Sequence, residues 1–268
     1  MDIINTKIED ILKFPFKEKD WFSTFGIYTI ISLFSGILVF FSFLFLFFGG
    51  AFIFEDITIG IFISIPIFIL AIIFFIITLY LQGYILEMIS YVKEGKAEKP
   101  KHDNFAIKLK KGFDRLLLGI GPVIISIIIL SLSIAIIFWG ANIIETTPTL
   151  GIILIIAGIF KTLFSILITI AVSTMIIPSM LYIYLETNSV IKGYNLKNIW
   201  IIVRNMWKSF LIVYAFSFVL AIIVSTLGQM PCIGSFILII GTAYTTFVVA
   251  FLTGRIFVEI DKLKLLKS

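Results

Sequence analysis

A few polar residues, scattered through long apolar runs, are the positions at which this 268-residue chain could do chemistry. Its only cysteine, Cys232, excludes an intramolecular disulfide, and its only histidine, His102, lies in a charged linker. A zinc site takes about four ligands, and nothing near His102 in the sequence completes one. Nucleophile-elbow, Walker A, dinucleotide and zinc-protease motifs are all missing. The remaining candidates are isolated ionisable or amide groups. Lys161 is the one charge between residues 146 and 185. A lysine at mid-bilayer costs roughly 2.5–3.5 kcal/mol on insertion scales. Lys161 is therefore expected to snorkel to headgroups, to pair with another helix or to touch a substrate.

A second group gathers where apolar runs end. Tyr80, Tyr84, Glu87 and Tyr91 share a helical face, Glu186 closes a later run, and Arg255 precedes Glu259 by one turn. If these ends pack together, a carboxylate of Glu87 or Glu186 is expected within about 4 Å of the Arg255 guanidinium. The alternative is an aromatic belt with solvated charges. Gln229, in a Gly-Gln-Met-Pro-Cys turn, joins Lys161 as a residue that would line a water-filled cavity in a transporter.

The elements that must position these residues follow from composition. Hydrophobic residues make up 60% of the chain and charged residues 14%, with a net charge of +5. Globular domains average about 25% charged residues, which rules out a disordered chain and argues strongly against a soluble fold. Residues 21–54, 57–86, 116–144 and 209–254 carry no Asp, Glu, Lys or Arg. A crossing needs about 20 apolar residues. The first three runs supply one crossing each, and the last supplies two, broken at residues 228–234. Residues 146–185 supply one more, starting with Pro148 after Thr147 as N-cap. That helix is either over-long, bent near Gly158, or replaced by a re-entrant hairpin over residues 148–160. Six crossings are expected, at about 22–48, 58–86, 116–139, 160–185, 209–228 and 234–257, within one transmembrane domain covering 1–268. The first run is too long for a signal peptide, so Met1 is expected to remain.

Lys and Arg set the orientation. Twenty of the 21 positive residues lie before the first crossing, in the 2–3 and 4–5 connections, or at the C-terminal end from Arg255 onward. The other connections carry only Glu55, Asp56 and Glu145. Both termini are therefore expected in the cytoplasm, with the chain in the plasma membrane.

Each odd crossing follows an amphipathic stretch. Ile4, Ile8, Ile11 and Leu12 form one apolar face; Phe105, Leu109, Phe113, Leu116 and Leu117 another; Leu196, Ile199, Trp200, Val203 and Trp207 a third. Basic residues oppose each face, as in helices lying at the cytoplasmic interface. Leu81-Gln82-Gly83-Tyr84-Ile85 is echoed by Leu252-Thr253-Gly254-Arg255-Ile256, and Pro178 holds a comparable place in the fourth crossing. Three repeats of an interfacial helix plus a hairpin are the expected architecture of this all-α fold.

Phe14-Pro15-Phe16-Lys17 and Asp20-Trp21 resemble the opening of a prokaryotic membrane family, domain-of-unknown-function family 4013. Gly83-Tyr84, Gly95, Pro100, Asp103-Asn104-Phe105 and Lys111-Gly112 are similar to it as well, as are Pro231, Gly234 and Gly254-Arg255. The segment around Pro100 is more basic than the family pattern. The resemblance implies a polytopic membrane protein and carries over no catalytic residue.

The expected function is non-enzymatic: organising lipid or supporting a membrane complex. A transporter of a small or lipidic molecule is the alternative, and an embedded enzyme would need a convergent acid–base or metal cluster. Membrane lipids are the expected partners, with an unidentified membrane protein or a second copy of the chain. No nucleic acid, cofactor or metal is expected.

Overall fold

The computed structural model describes residues 8–16, 23–34, 57–96, 100–231 and 233–266. Of these, 89% are helical and none is in a strand. Helix α1 (Ile8–Lys13) runs into a 3₁₀ turn, Phe14–Phe16. Then come α2 (Ser23–Phe34), α3 (Ile57–Lys93) and α4 (Phe105–Ile143). Helices α5 (Pro148–Ala171) and α6 (Ile177–Thr187) are joined by a π-helical turn, Val172–Ile176. Helices α7 (Val190–Gly193), α8 (Leu196–Leu227) and α9 (Gly234–Lys262) complete the described chain.

Five helical stretches are long and apolar enough to cross a membrane: Phe68–Lys93 within α3, Phe105–Ile143, Pro148–Thr187, Leu196–Leu227 and Gly234–Lys262. Of the expected crossing at 22–48, only Ser23–Phe34 is described. Its remainder, Glu55, Asp56 and Cys232 lie outside the described residues.

The stretch from Pro148 is one continuous helical run of 40 residues, about 60 Å at 1.5 Å per residue. The over-long alternative holds and the chain does not turn back over 148–160. The irregularity expected near Gly158 sits instead at the π turn. Proline lacks an N–H and crowds the carbonyl four residues back, so the widened turn ahead of Pro178 accommodates it; there Ile177 N–H reaches the Val172 carbonyl. Pro148 opens α5 as expected, but the Thr147 hydroxyl does not cap it. It lies 3.2 Å from the Ile143 carbonyl and serves the end of α4 instead.

Two of the amphipathic stretches are not separate interfacial helices. Residues 105–117 and 196–208 are the opening turns of α4 and α8. Each continues as one helix into its run, in α4 through Gly119, Gly121 and Pro122. The first stretch, α1 with its 3₁₀ turn, is separate and docks on α9. The Tyr244 hydroxyl donates to the Leu12 carbonyl at 2.9 Å, and the Phe14 ring stacks on Phe251 at 4.4 Å.

The chain forms two compact units: residues 1–115 with 212–263, and residues 116–211 with 264–268. In the first, α9 packs on α3, where a Cβ on Gly254 would stand 2.6 Å from Val92. In the second, α4 packs on α5 along small residues. Ser133 and Ser165 share a buried hydrogen bond of 2.8 Å, and a Cβ on Gly140 would stand 2.9 Å from the Gly151 carbonyl. Small residues let helices approach this closely.

The second unit also solves a backbone problem. Pro122 lies inside α4 and has no N–H for the Leu118 carbonyl four residues back. The Tyr194 hydroxyl reaches over Gly121 and lies 3.2 Å from that oxygen and 2.5 Å from the Leu117 carbonyl. Tyr194→Phe should therefore cost about 1 kcal/mol of unfolding free energy in detergent. In a Pro122→Ala background the cost should fall, because the restored N–H serves Leu118 and only the bond to the Leu117 carbonyl remains. Equal costs in both backgrounds of this double-mutant cycle would assign the hydroxyl another task.

Candidate functional site

The densest polar constellation among the described residues lies where α3 meets the opening of α4, in the first unit. Two glycines make it. A Cβ on Gly83 would fall 1.8 Å from the Lys108 carbonyl oxygen, and one on Gly112 1.8 Å from that of Leu79. The two backbones therefore touch, and only glycine fits at either position. Asn104, with φ of 50°, turns the linker into α4, and its carbonyl accepts the Ile107 and Lys108 N–H groups.

This contact sets the basic face of α4 against α3, opposite to the arrangement expected of an interfacial helix. Lys108 is 1% exposed, whereas Phe105 and Phe113 are 54% and 46% exposed. The reason is Glu87. Its Oε2 lies 3.3 Å from the Lys108 ammonium and its Oε1 3.5 Å from that of Lys111. Glu87 Oε2 makes no aligned hydrogen bond, so its attraction to Lys108 is Coulombic. Asp103 completes the shell around Lys108, through its carbonyl and through Oδ1 at 3.3 Å. One turn on, Arg115 donates to the Gln82 carbonyl at 3.4 Å.

His102 fastens the linker to the other side. Its Nε2 lies 3.1 Å from the Thr24 carbonyl and its Nδ1 2.9 Å from the Tyr80 hydroxyl. A carbonyl only accepts, so Nε2 carries the proton; in the neutral ring Nδ1 then accepts from Tyr80. The ring stacks on Tyr84 at 4.4 Å with planes 1° apart. Tyr84, fully buried, belongs to an aromatic cluster with Tyr28 and Phe247. Burial, helped by the Lys108 charge, holds the imidazole below its ordinary pKa against the raising effects of Thr24 and Asp103. Both ring nitrogens are bonded to protein atoms, so the arrangement is a clamp joining α2, α3, the linker and α4.

The residues singled out from sequence fall as follows. Glu87 lies at the centre of the clamp. Arg255 is exposed, with its guanidinium 5.9 Å from the Phe251 ring centre. For Glu87 the partners are Lys108 and Lys111, brought in by the glycine contact, and not the expected Arg255. Glu259 is half-buried on α9, and Glu186 is exposed in the last turn of α6. Lys161 is half-exposed on α5, where its backbone carbonyl accepts from Ser165 at 2.7 Å. Gln229 is exposed in the turn before α9. A cavity of about 230 Å³ in the first unit is lined by Tyr28, Ser32, Thr242 and Thr246 with three apolar residues, and by neither Lys161 nor Gln229. Sequence reasoning missed His102, Asp103 and Lys108. The signal available was Gly83 and Gly112, each one turn from a charged residue.

A protein family described as of unknown function, DUF4013, matches residues 66–233, more than half of the chain. The chain belongs to the DUF4013 family. The matched stretch contains Gly83, Glu87, His102, Asp103, Lys108, Gly112 and Tyr194; Phe14–Phe16 and Arg255 lie outside it. No curated protein and no solved structure matches the chain. Family and apolar helices together make this a membrane protein.

Unfolding measurements in detergent test the clamp. Lys108→Met leaves Glu87 buried with only Lys111 beside it. It should cost about 3 kcal/mol, the lower end for breaking a buried pair, and adding Glu87→Leu should recover most of that. A cost below about 1 kcal/mol, the level of an exposed pair, would remove the clamp's energetic role. For His102 the folded pKa lies below the unfolded value of about 6.5. The unfolded state therefore binds the proton first as pH falls. The stabilisation is complete above that value and is lost on acidification from there down through the depressed folded pKa. The neighbouring titratable groups, Tyr80, Tyr84, Glu87, Asp103 and Lys108, remain in His102→Gln. Stability in that variant should thus fall less steeply with acid than in the parent, and identical slopes would contradict the assignment.

Proposed function

We propose that this is a non-enzymatic plasma-membrane protein that organises lipid or supports a membrane complex. On this reading six helices cross the bilayer as three related helix-plus-hairpin units, with both termini cytoplasmic. The observation that carries the functional reading is how the polar groups are used. His102, Glu87, Asp103 and Lys108 bind one another and the backbone, while the long helices turn large apolar side chains outward. On α5, Phe160, Phe164 and Leu167 are 69%, 63% and 63% exposed. Such surfaces suit lipid chains, helices of a partner protein or a second copy of this chain. Gly83 and Gly254, in the two echoing pentapeptides, each sit at a close helix contact, which supports the repeat. The 20-to-0 partition of positive residues between the two sets of connections, Lys161 aside, supports the orientation.

One observation favours transport of a small or lipidic molecule instead: the cavity bearing the hydroxyls of Tyr28, Ser32, Thr242 and Thr246. Native mass spectrometry of the protein released from lipid nanodiscs separates the two readings. Lipids or a partner protein should be retained and no other small molecule. A non-lipid adduct lost in Lys161→Ala or Thr242→Val would replace the proposal with transport. Reporter fusions at residues 52 and 143 should read as external, and a cytoplasmic signal at either would overturn the orientation.

A further inference from the structure

We propose that α7 and the opening turns of α8 form a binding surface for anionic phospholipid headgroups. The inference rests on α8 crossing a bilayer, and it gives the lipid-organising reading a lipid class and a location. Leu196, Trp200 and Trp207 follow one another at helical spacing along α8 and are 77%, 66% and 45% exposed; Ile191 on α7 is 86% exposed. This stripe is not the packing face. Ile199, Ile202, Met206 and Phe210, about a quarter-turn round the same helix, are no more than 5% exposed.

Four cations accompany the stripe. Lys192, Lys197, Arg204 and Lys208 are all exposed, and the Lys208 ammonium lies 5.6 Å from the centre of the Trp207 ring. No Asp or Glu occurs between residues 187 and 258, so the stripe itself carries no acid. The start of α4 has a similar composition but sets Lys108 and Lys111 against Glu87 and Asp103. At α8 the positive charge is left facing outward beside indole rings.

Tryptophan favours the headgroup level, where its ring meets acyl chains and its N–H meets polar groups. Lysine and arginine there attract anionic lipid, by about fivefold in local enrichment per cation. The stripe also runs directly into the apolar part of α8, so it meets the bilayer at headgroup depth. A nucleic acid or an acidic soluble protein would satisfy the cations and leave Leu196 and Ile191 in water.

The test uses the full-length protein with Trp21→Phe and Trp139→Phe, so that Trp200 and Trp207 alone report. In nanodiscs, brominated phosphatidylglycerol should quench their fluorescence more strongly than the same mole fraction of brominated phosphatidylcholine. The variant Lys192→Gln, Lys197→Gln, Arg204→Gln, Lys208→Gln changes exposed side chains only and should lose that preference. Added salt should weaken the preference in the parent, a second readout that needs no charge variant. Equal quenching by both lipids, a preference that survives the four substitutions, or no quenching by either would each overturn the proposal. Loss of the preference would leave retained lipids detectable by native mass spectrometry, so this inference and the broader reading fail separately.

Discussion

The contact between Gly83 and Gly112 is the constraint from which the clamp follows. Once two helix backbones touch there, no side chain fits between them, and the residues one turn away are forced into the seam. On α3 that residue is Glu87, and on α4 it is Lys108. Burying either ion alone costs several kcal/mol, so the pair forms because the backbones leave neither charge another place. The rest is built around it. Asp103 fills the remaining donors of Lys108, and His102 ties the same linker to Tyr80 and the Thr24 carbonyl. An approach that looks like close apolar packing thus fixes the positions of Glu87, Lys108 and Lys111.

A second constraint comes from the solvent. In hydrocarbon every backbone group needs a partner inside the protein, so each proline in a long helix calls for a repair. At Pro122 the repair is a tyrosine hydroxyl from another element. At Pro178 it is a widened helical turn. Small hydroxyls follow the same rule: Thr162, Ser165, Thr169 and Thr174 each donate to the carbonyl four residues back on their own helix. A serine or threonine in these apolar runs is thus a satisfied group first and a candidate ligand second.

The helical class and the extents of the apolar runs were legible because they depend on composition along the chain, which burial does not alter. The family was legible from short motifs such as Asp103-Asn104-Phe105 and Lys111-Gly112, which fall at the turn into α4 and at the glycine contact. The partner of Glu87 was not legible. Choosing among Lys108, Lys111 and Arg255 requires knowing which backbone approaches α3 most closely, and that depends on Gly112, 29 positions from Gly83. His102 was missed for a related reason. A linker rich in charge reads as solvated, yet the ring is stacked on a buried tyrosine that the sequence alone assigns to a helix face.

The openings of α4 and α8 bring these strands together. Both are basic and aromatic, both run without a break into an apolar stretch, and periodicity assigns them the same role. What separates them is the nearest carboxylate. At α4, Glu87 and Asp103 lie within ion-pair distance, so Lys108 turns inward and Phe105 and Phe113 turn out. At α8 the local sequence holds no acid, and the buried face is filled by Ile199, Ile202 and Met206. The cations then have only the outside to face. Two stretches with one hydrophobic pattern thus present opposite surfaces, because a buried lysine needs its counter-charge in place before the helix face can turn inward.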